Sequence, residues 1–399
     1  MDLRYRFNRL EAAGSLGDLG TLLPIAIGMI LVNGLEPSGL FFSIGLFYIL
    51  TGIYFGVTVP IQPMKVVGAY AIATGLDASP IFASGALMAI VLILIGATGA
   101  VTILGRYTPK SVVRGVQLST GALLMAQGVK FMIGTSKFQL IRQAAEPYLT
   151  LQSLGAVPIG IVIGVGGGLL TLFLMENKKL PAGLLLVLCG IFIGLLLGTH
   201  QGFEKLHVGI NLPKLLPSGV PSAADFSSAL LLLVLPQIPM TLGNAVIAYT
   251  DLSRQYFGEA SGRVTYRSAC ISMALANFIS FIVGGMPLCH GAGGLAAHYR
   301  FGARTAGSNL IIGAIFVILA VLLGKHVLAV LYLMPMSILG LLLLFAGGQL
   351  ALSIMDLKGR KELFVTLAML GITLATNLAA GFIVGLMIAY LLKSTRMNI

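Results

Sequence analysis

The chain has 399 residues, of which 57% are hydrophobic and only 10% are charged, and its mean hydropathy of +0.98 excludes a soluble globular protein. The net charge of +12 does not indicate nucleic-acid binding, because the lysines and arginines fall mainly in short breaks between apolar runs. Cys189, Cys270 and Cys289 lie in apolar stretches, so the sequence suggests neither a disulfide framework nor a metal site.

Apolar runs of about 20 residues, the length that crosses a hydrocarbon core as a helix, recur along the chain. Hydropathy divides them into about fourteen transmembrane segments of an all-α polytopic membrane protein. The predicted spans cover residues 14–33, 39–57, 58–75, 80–105, 109–132, 157–175, 181–199, 227–253, 264–285, 286–298, 306–324, 327–353, 362–377 and 379–392.

Most lysines and arginines fall on the side of the N-terminus when these spans are threaded through a membrane. Under the positive-inside rule this places both termini in the cytoplasm, and we expect a multi-pass protein of the cytoplasmic (inner) membrane. The basic residues that support this orientation include Arg4, Arg106, Lys178, Lys179 and Arg396. The basic first ten residues run directly into a long apolar segment, so no cleaved signal peptide is expected.

The two halves of the sequence resemble each other weakly and in the same order. "TVPIQPMKVVGAYA" (58–71) matches "GMPLCHGAGGLAAH" (285–298) when their prolines are aligned. "TPKSVVRGVQLSTGALLMAQ" (108–127) matches "MPMSILGLLLLFAGGQLALS" (334–353) in the same way. Such internal similarity predicts a repeat architecture.

Each half contains seven predicted spans, so the second copy enters the membrane from the opposite face. We therefore expect an inverted repeat, with residues 1–200 forming the first copy, 201–226 a connecting loop and 227–399 the second copy. No soluble C-terminal domain is expected. Inverted repeats with Gly- or Pro-interrupted segments at corresponding positions are typical of transporters whose substrate site lies near the bilayer midplane.

Both interrupted segments have the pattern of a short extended strand followed by a half-helix. In "VTVPIQPMKVVGAYAIATG" the β-branched residues and the prolines favour extended backbone, and Pro63 suits the first turn of a helix. In "GGMPLCHGAGGLAAHY" the half-helix is expected to start near Cys289 or His290. The two extended pieces can pair and bring the two helix N-termini face to face.

This arrangement predicts a binding site for a dianion. Each helix N-terminus carries about half a positive charge, and Lys65 adds one, which sums to about +2. The predicted contacts to the substrate are Gln62, Pro63, Met64, Lys65, His290, Gly291, Ala292 and Gly293, with small residues leaving the amides accessible. Alternatively, Lys65 pairs permanently with a carboxylate or extends to the interface, and His290 is a neutral core residue.

Polar residues on the first span of each half are predicted to complete the site. Asp18 and Thr21 lie on one face of one helix, and Gln237 and Asn244 lie on one face of another. Such residues also often only join neighbouring helices. Asp18 and His290 are the candidates for coupling the movement of the anion to protons.

"PIQPMK" (60–65), "GGMPLCHGAGGLAAHYRFGAR" (284–304) and the earlier "GDLGTLLP" resemble the molybdate transporter family of plants, algae and prokaryotes, within the sulfate permease superfamily. The resemblance covers most of the chain. It implies core and gate domains built from inverted seven-helix repeats, and secondary active uptake of molybdate. It also fits the expected lack of a C-terminal regulatory domain, which other members of the superfamily usually carry.

The alternatives on the same fold are a transporter of sulfate or another dianion, an anion channel, and a nucleobase permease. The last is disfavoured because its family relies on acidic residues where this chain has Gln237, Asn244 and His290. An enzyme using Cys289 and His290 is disfavoured because adjacent helical residues point in different directions. The expected partners are a small oxyanion, membrane lipid and, as an option, a second copy of the chain; no nucleic acid and no cofactor are expected.

Overall fold

The structure is a computed structural model that describes residues 5–101, 103, 107–174 and 182–393. Arg4, Arg106, Lys178, Lys179 and Arg396, which entered the prediction of sidedness, lie outside the described residues. The described chain is mostly helical, as the composition predicts.

The helices and strands follow one another along the described chain with short connections. The helices are α1 Arg9–Ser15, α2 Leu19–Asn33, α3 Pro37–Phe55, α4 Lys65–Thr74, α5 Ala78–Thr98, α6 Lys110–Ile133, α7 Lys137–Arg142, α8 Ile159–Leu174, α9 Ala182–Leu197, α10 Ala223–Ser261, α11 Tyr266–Val283, α12 Ala292–Arg300, α13 Ala306–Leu331, α14 Met336–Asp356, α15 Arg360–Ala375 and α16 Leu378–Leu391. The strands are β1 Gln62–Pro63, β2 Ser153–Leu154, β3 Val157–Pro158 and β4 Leu288–Cys289.

Six of the described helices are long and apolar enough to cross a membrane, and a seventh span results if α1 and α2, which meet at a 40° bend, are joined. This is the architecture of a multi-pass membrane protein. The number is smaller than hydropathy predicts. Four of the missing spans correspond to α4, α8, α9 and α16, which are apolar helices of only 10–17 residues.

Each interrupted segment begins where a long helix ends at a glycine. Gly56 (φ +72°) ends α3, and Gly284 (φ +74°) ends α11. Backbone with this φ is left-handed, which glycine adopts without the steric cost of a Cβ. The chain therefore leaves the helix in both places and continues as extended backbone.

The two extended pieces pair with each other, as the sequence predicts. β1 and β4 run antiparallel, with Gln62 opposite Cys289 and Pro63 opposite Leu288. The Met64 amide donates to the Pro287 carbonyl across the pair, at 2.8 Å. Because the ladder includes these positions, the half-helices begin at Lys65 and Ala292, two to three residues later than predicted.

Two asparagines close the outer edges of this short ladder. Asn277 of α11 bonds both the amide and the carbonyl of Leu288, at 3.1 and 2.8 Å. Asn309 of α13 does the same for Val59, at 2.9 Å in both bonds. Backbone groups at bilayer depth need protein partners because water is absent there, and these side chains supply them.

Close glycine contacts join the long helices in pairs. A Cβ at Gly45 of α3 would lie 2.7 Å from the Gly313 carbonyl of α13, and a Cβ at Gly313 would lie 2.8 Å from the Gly45 carbonyl. Gly121 of α6 and Gly347 of α14 show the same reciprocal contact, at 2.5 and 2.6 Å. Small residues allow such close approach of membrane helices, and the tight packing fixes α3 on α13 and α6 on α14.

The helix that follows the predicted connecting loop is longer and less regular than expected. α10 begins at Ala223, inside the predicted loop 201–226, and includes π-helical stretches at Leu230–Val234 and Thr241–Ala248. Pro236 and Pro239 contribute to this irregularity, because proline lacks the amide that a helix interior uses. Gln237 and Asn244 project from this part of α10.

Candidate functional site

The paired strands place the starts of α4 and α12 beside each other in the interior. Pro63 and Met64 are buried at the start of α4, and the bond from the Met64 amide to Pro287 ties them to the other strand. These two predicted site residues therefore position the first half-helix through their backbone. Gln62 lies in this ladder, and Lys65 is the first residue of α4. Their side chains determine the hydrogen bonding and the charge of the site.

The N-terminus of α4 is closed by a side chain. The Gln237 oxygen Oε1 accepts from the amides of Val66 and Val67, at 3.0 and 3.4 Å. The Gln237 nitrogen Nε2 donates to Thr241 Oγ1 at 2.9 Å, and Gln237 is buried. Gln237 thus satisfies amides that a helix start leaves without intrahelical partners.

The N-terminus of α12 is open by contrast. Within the described chain, the amides of Gly291, Ala292 and Gly293 have no hydrogen-bond acceptor. Gly293 is exposed, and a Cβ placed there would have no atom within 4 Å. Exposed, unpaired amides at a helix N-terminus bind anions, since the helix dipole adds positive potential there.

A cavity of about 210 Å³ lies in front of this open N-terminus. Its wall includes Thr21, Lys65, Asn244, Gly293 and Gln349. A second cavity of about 250 Å³ shares Thr21, Lys65, Gly293 and Gln349 with the first. The structure therefore brings four of the predicted substrate contacts, from four separate helices, to one polar space.

Lys65 supplies the positive charge of this space. Its side chain is partly exposed to the cavity, and it forms no salt bridge within the described part of the chain. The alternative in which Lys65 pairs permanently with Asp18 does not describe this structure. A lysine without a partner beside open helix amides makes the cavity attractive to an anion.

Asp18 is buried, and its carboxylate is hydrogen-bonded to Gln62. Both carboxylate oxygens accept from Gln62 Nε2, at 2.8 and 2.7 Å. The other end of the Gln62 amide, Oε1, is buried without a partner in the described chain. An unpaired buried acceptor is costly, and its position next to Gly291 and Asn244 makes Gln62 the residue between Asp18 and the cavity.

The glycines at the start of α12 have two different roles. A Cβ at Gly291 would overlap Gln62 Oε1, and a Cβ at Gly294 would lie 2.5 Å from Asp18 Oδ2. These two glycines therefore make room for the Asp18–Gln62 pair. Only Gly293 faces open space, so the sequence argument for access to the backbone applies to Gly293, while Gly291 is required for packing.

His290 lies outside the cavity. Its Nδ1 is 3.1 Å from the Pro60 carbonyl and its Nε2 is 2.7 Å from Ser272 Oγ, and its ring stacks on Phe47 at 5.4 Å. A carbonyl only accepts, so Nδ1 carries the proton and Nε2 accepts from Ser272. This environment agrees with the alternative in which His290 is a neutral, buried, hydrogen-bonded residue.

Basic residues border a second space beside the cavity. A space of about 270 Å³, which shares Gln117 and Asn244 with the first cavity, is bordered by Lys110 and Arg114. Both cations contact Asp356, at 2.9 and 2.6 Å. Two positive charges against one carboxylate leave this space net positive, which attracts anions.

Two side-chain amides of the cavity wall were not among the predicted site residues. Gln117 of α6 accepts from Arg114 and from Ser353, at 2.7 and 2.9 Å, while Gln349 of α14 is exposed to the cavity. Both residues lie in the second pair of matching segments, and a glutamine within a largely apolar helix is the sequence feature that marks each of them.

Comparisons with known proteins agree with this chemistry. The family model described as "Molybdate transporter of MFS superfamily" matches residues 10–124 and 229–350. Molybdate transporter 2 of Arabidopsis thaliana is 32% identical, over 96% of this chain and 87% of its own length. Molybdate transporter 1 of Chlamydomonas reinhardtii is 30% identical, over 94% of this chain and 90% of its own length.

Solved structures share the fold at low sequence identity. The murine solute carrier 26 family member A9 anion transporter in the inward-facing state is 14% identical, with a TM-score of 0.67 over 98% of this chain and 69% of that chain. The transmembrane domain of the cyanobacterial bicarbonate transporter BicA is 15% identical, with a TM-score of 0.63 over 97% of this chain and 98% of that domain.

Proposed function

The chain belongs to the molybdate transporter family, a family of transporters rather than enzymes, and from this premise we propose that it carries molybdate across the cytoplasmic membrane. The observation that carries the proposal is the polar cavity in which Lys65 faces the open N-terminus of α12. A tetrahedral dianion matches a site made of one full positive charge and several unpaired amides.

In this proposal the residues of the site have separate tasks. Lys65 supplies charge, and the amides of Gly291, Ala292 and Gly293 donate to the oxyanion. Thr21 and Asn244 complete the wall on one side, and Gln349, which was not predicted, completes it from α14. Gln237 contributes by holding the start of α4 in place, and Gln62, Pro63 and Met64 form the supporting strand.

We further propose that the chain consists of two inverted repeats of seven spans each, with both termini in the cytoplasm, and that transport follows alternating access of a core unit against a gate unit, each built from both repeats. Two features support related halves: the strands at matching positions pair with each other, and Gly121 and Gly347, which occupy matching positions in the aligned segments, contact each other reciprocally. One unit contains both half-helices, and α6 and α14 belong to the other. The cavity lies between them, so a movement of one unit against the other exposes it alternately.

Protons are the proposed driving ion, and Asp18 is the proposed sensor. A proton on Asp18 removes a negative charge near Lys65 and turns the carboxyl into a donor. If the Gln62 side-chain amide then rotates by half a turn, its Oε1, which is unpaired in this structure, accepts the hydrogen bond from the protonated Asp18. The same rotation directs Nε2 toward Gly291 and Asn244, on the side of the cavity. His290 is a weaker candidate, since both of its nitrogens are already engaged by Pro60 and Ser272.

This coupling is tested by uptake into vesicles. Uptake should follow an imposed inward proton gradient in the wild type and lose that dependence in Asp18→Asn. The coupling proposal fails if wild-type uptake runs at the same rate with the gradient collapsed.

The substrate is tested by competition between molybdate, tungstate and sulfate for the purified protein. All three are tetrahedral dianions, so the geometry predicts that all compete at one site, with molybdate and tungstate bound more tightly than sulfate if the family's name describes this chain. A protein that binds none of them, or that binds sulfate best, contradicts the assignment of molybdate.

A further inference from the structure

A groove of about 660 Å³ lies between α3 and α11 and opens at the surface of the protein that these helices expose. Its apolar part is formed by Leu50 of α3 and by Ile271 and Leu275 of α11, with 38%, 42% and 50% of their surfaces exposed. In a chain that spans a membrane, apolar side chains exposed on the outer face of such helices meet lipid.

One end of the groove is positively charged. Arg263 and Arg267 line it, and no aspartate or glutamate is among its lining residues in the described chain. Arg263 Nη1 donates to the Tyr54 carbonyl at 2.9 Å, which holds one guanidinium over the end of α3. Arg267 forms no hydrogen bond or salt bridge with the described residues, so its five donors are available.

The charged and apolar parts form one continuous strip. Arg267, Ile271 and Leu275 are spaced four residues apart along α11, which places them on the same face of the helix. The arginine stands in the first turn of α11, near the membrane boundary, and the apolar side chains follow toward the membrane interior. This order of charge and then hydrocarbon is that of a phospholipid.

We infer that this groove binds an anionic phospholipid, with its phosphate on Arg267 and Arg263 and an acyl chain along Ile271 and Leu275. Guanidinium groups bind phosphate oxygens through paired hydrogen bonds, and basic pockets between membrane helices select anionic headgroups. Ser268 also lines this end, and its hydroxyl donates to the Arg263 carbonyl at 2.7 Å, which helps to position Arg263.

The groove also touches the interior of the protein. Ser272 lines its wall and donates to His290, which in turn bonds the carbonyl of Pro60 just before β1. A lipid in the groove would therefore contact Ser272, whose hydroxyl is linked through His290 to the segment that positions Gln62. Any effect of lipid on transport rests on the proposed function, whereas binding of the lipid does not.

The test uses the full chain, purified with an equal mixture of phosphatidylglycerol and phosphatidylcholine that have the same acyl chains, and counts retained lipids by native mass spectrometry. The wild type should retain phosphatidylglycerol preferentially. Arg263→Gln with Arg267→Gln should lower that preference by roughly fivefold for each arginine. Arg254→Gln, an exposed arginine outside the groove, is the matched control and should keep the wild-type preference.

Three results would overturn the inference. The first is a wild type that retains both lipids equally, a result that needs no variant to fold. The second is an unchanged preference in the double variant, or an equal loss in Arg254→Gln. The third is displacement of phosphatidylglycerol by millimolar inorganic phosphate, which would make the arginines a site for soluble anions. Because the readout is retained lipid, it is independent of whether the chain binds molybdate.

Discussion

The two half-helix N-termini are built alike but used differently. Both follow a strand of the same two-stranded ladder, yet the amides of Val66 and Val67 in α4 are covered by Gln237. At the start of α12 the unpaired amides remain open, and the backbone of Gly293 lines a cavity. α4 instead contributes the side chain of Lys65 to that cavity.

This difference assigns a distinct task to each half-helix. α4 provides a positive charge on the long, flexible side chain of Lys65, and α12 provides backbone donors in a fixed position. A lysine is a point charge that adapts to its ligand, whereas helix amides impose direction. Together the two half-helices attract the anion and orient it. Two identical half-helices would supply only one of these two functions.

The largest effect should come from covering the open N-terminus. Gly293→Val places a branched side chain over the amides of α12, where a Cβ meets no other atom. The protein should fold, and oxyanion affinity should fall by roughly a hundredfold or more, because several hydrogen bonds to a charged ligand are lost together. Isothermal titration with molybdate measures the loss.

The matched control for this variant is Gly166→Val in α8, where a Cβ also meets no atom within 4 Å. It should leave affinity unchanged. Normal binding by Gly293→Val would mean that the anion does not use these amides.

The next effect concerns the charge that α4 provides. Lys65→Ala should weaken oxyanion binding by more than tenfold, which corresponds to over about 1.4 kcal/mol. Folding should be retained, because Lys65 has no salt bridge to lose in the described chain. Lys130→Ala, at the exposed far end of α6, serves as the control in the same titration. Equal affinities of Lys65→Ala and wild type would mean that the charge of Lys65 does not contribute to oxyanion binding.

A smaller effect on binding, but a clear effect on stability, is expected at the closed N-terminus. Gln237→Leu leaves the amides of Val66 and Val67 buried and unpaired, which costs roughly 1–3 kcal/mol. Thermal unfolding should show the loss, and Gln237→Glu, which keeps an acceptor, should recover much of it. If Gln237→Leu instead abolished binding at unchanged stability, Gln237 would be a substrate contact and the two N-termini would not differ as described.

The local chain geometry at the site was predictable from sequence. Pro60 and Pro63 favour extended backbone before a half-helix, and Lys65, two residues after Pro63, is too costly at bilayer depth to be incidental. The pairing of the two extended pieces follows from their matching positions in the two halves. These features are local, or they depend on one repeat.

The partners of the polar side chains were not predictable in the same way. Gln237 caps amides that are 170 and 171 positions away in sequence, and Asn309 closes a strand 250 positions away. His290 fits a ligand and a buried core residue equally well until Ser272 and Pro60 are placed beside it. Such contacts depend on how the helices pack, which periodicity and composition do not specify.

The joint use of Lys65 and the open N-terminus of α12 is tested by a structure determined with tungstate, whose heavy atom is located by its anomalous scattering. We expect one tungsten position in the cavity, with its oxygens within hydrogen-bonding distance of the amides of Gly291 to Gly293 and of Lys65 Nζ. Tungsten at the N-terminus of α4 in place of Gln237, or at a position that contacts neither Lys65 nor α12, would contradict it.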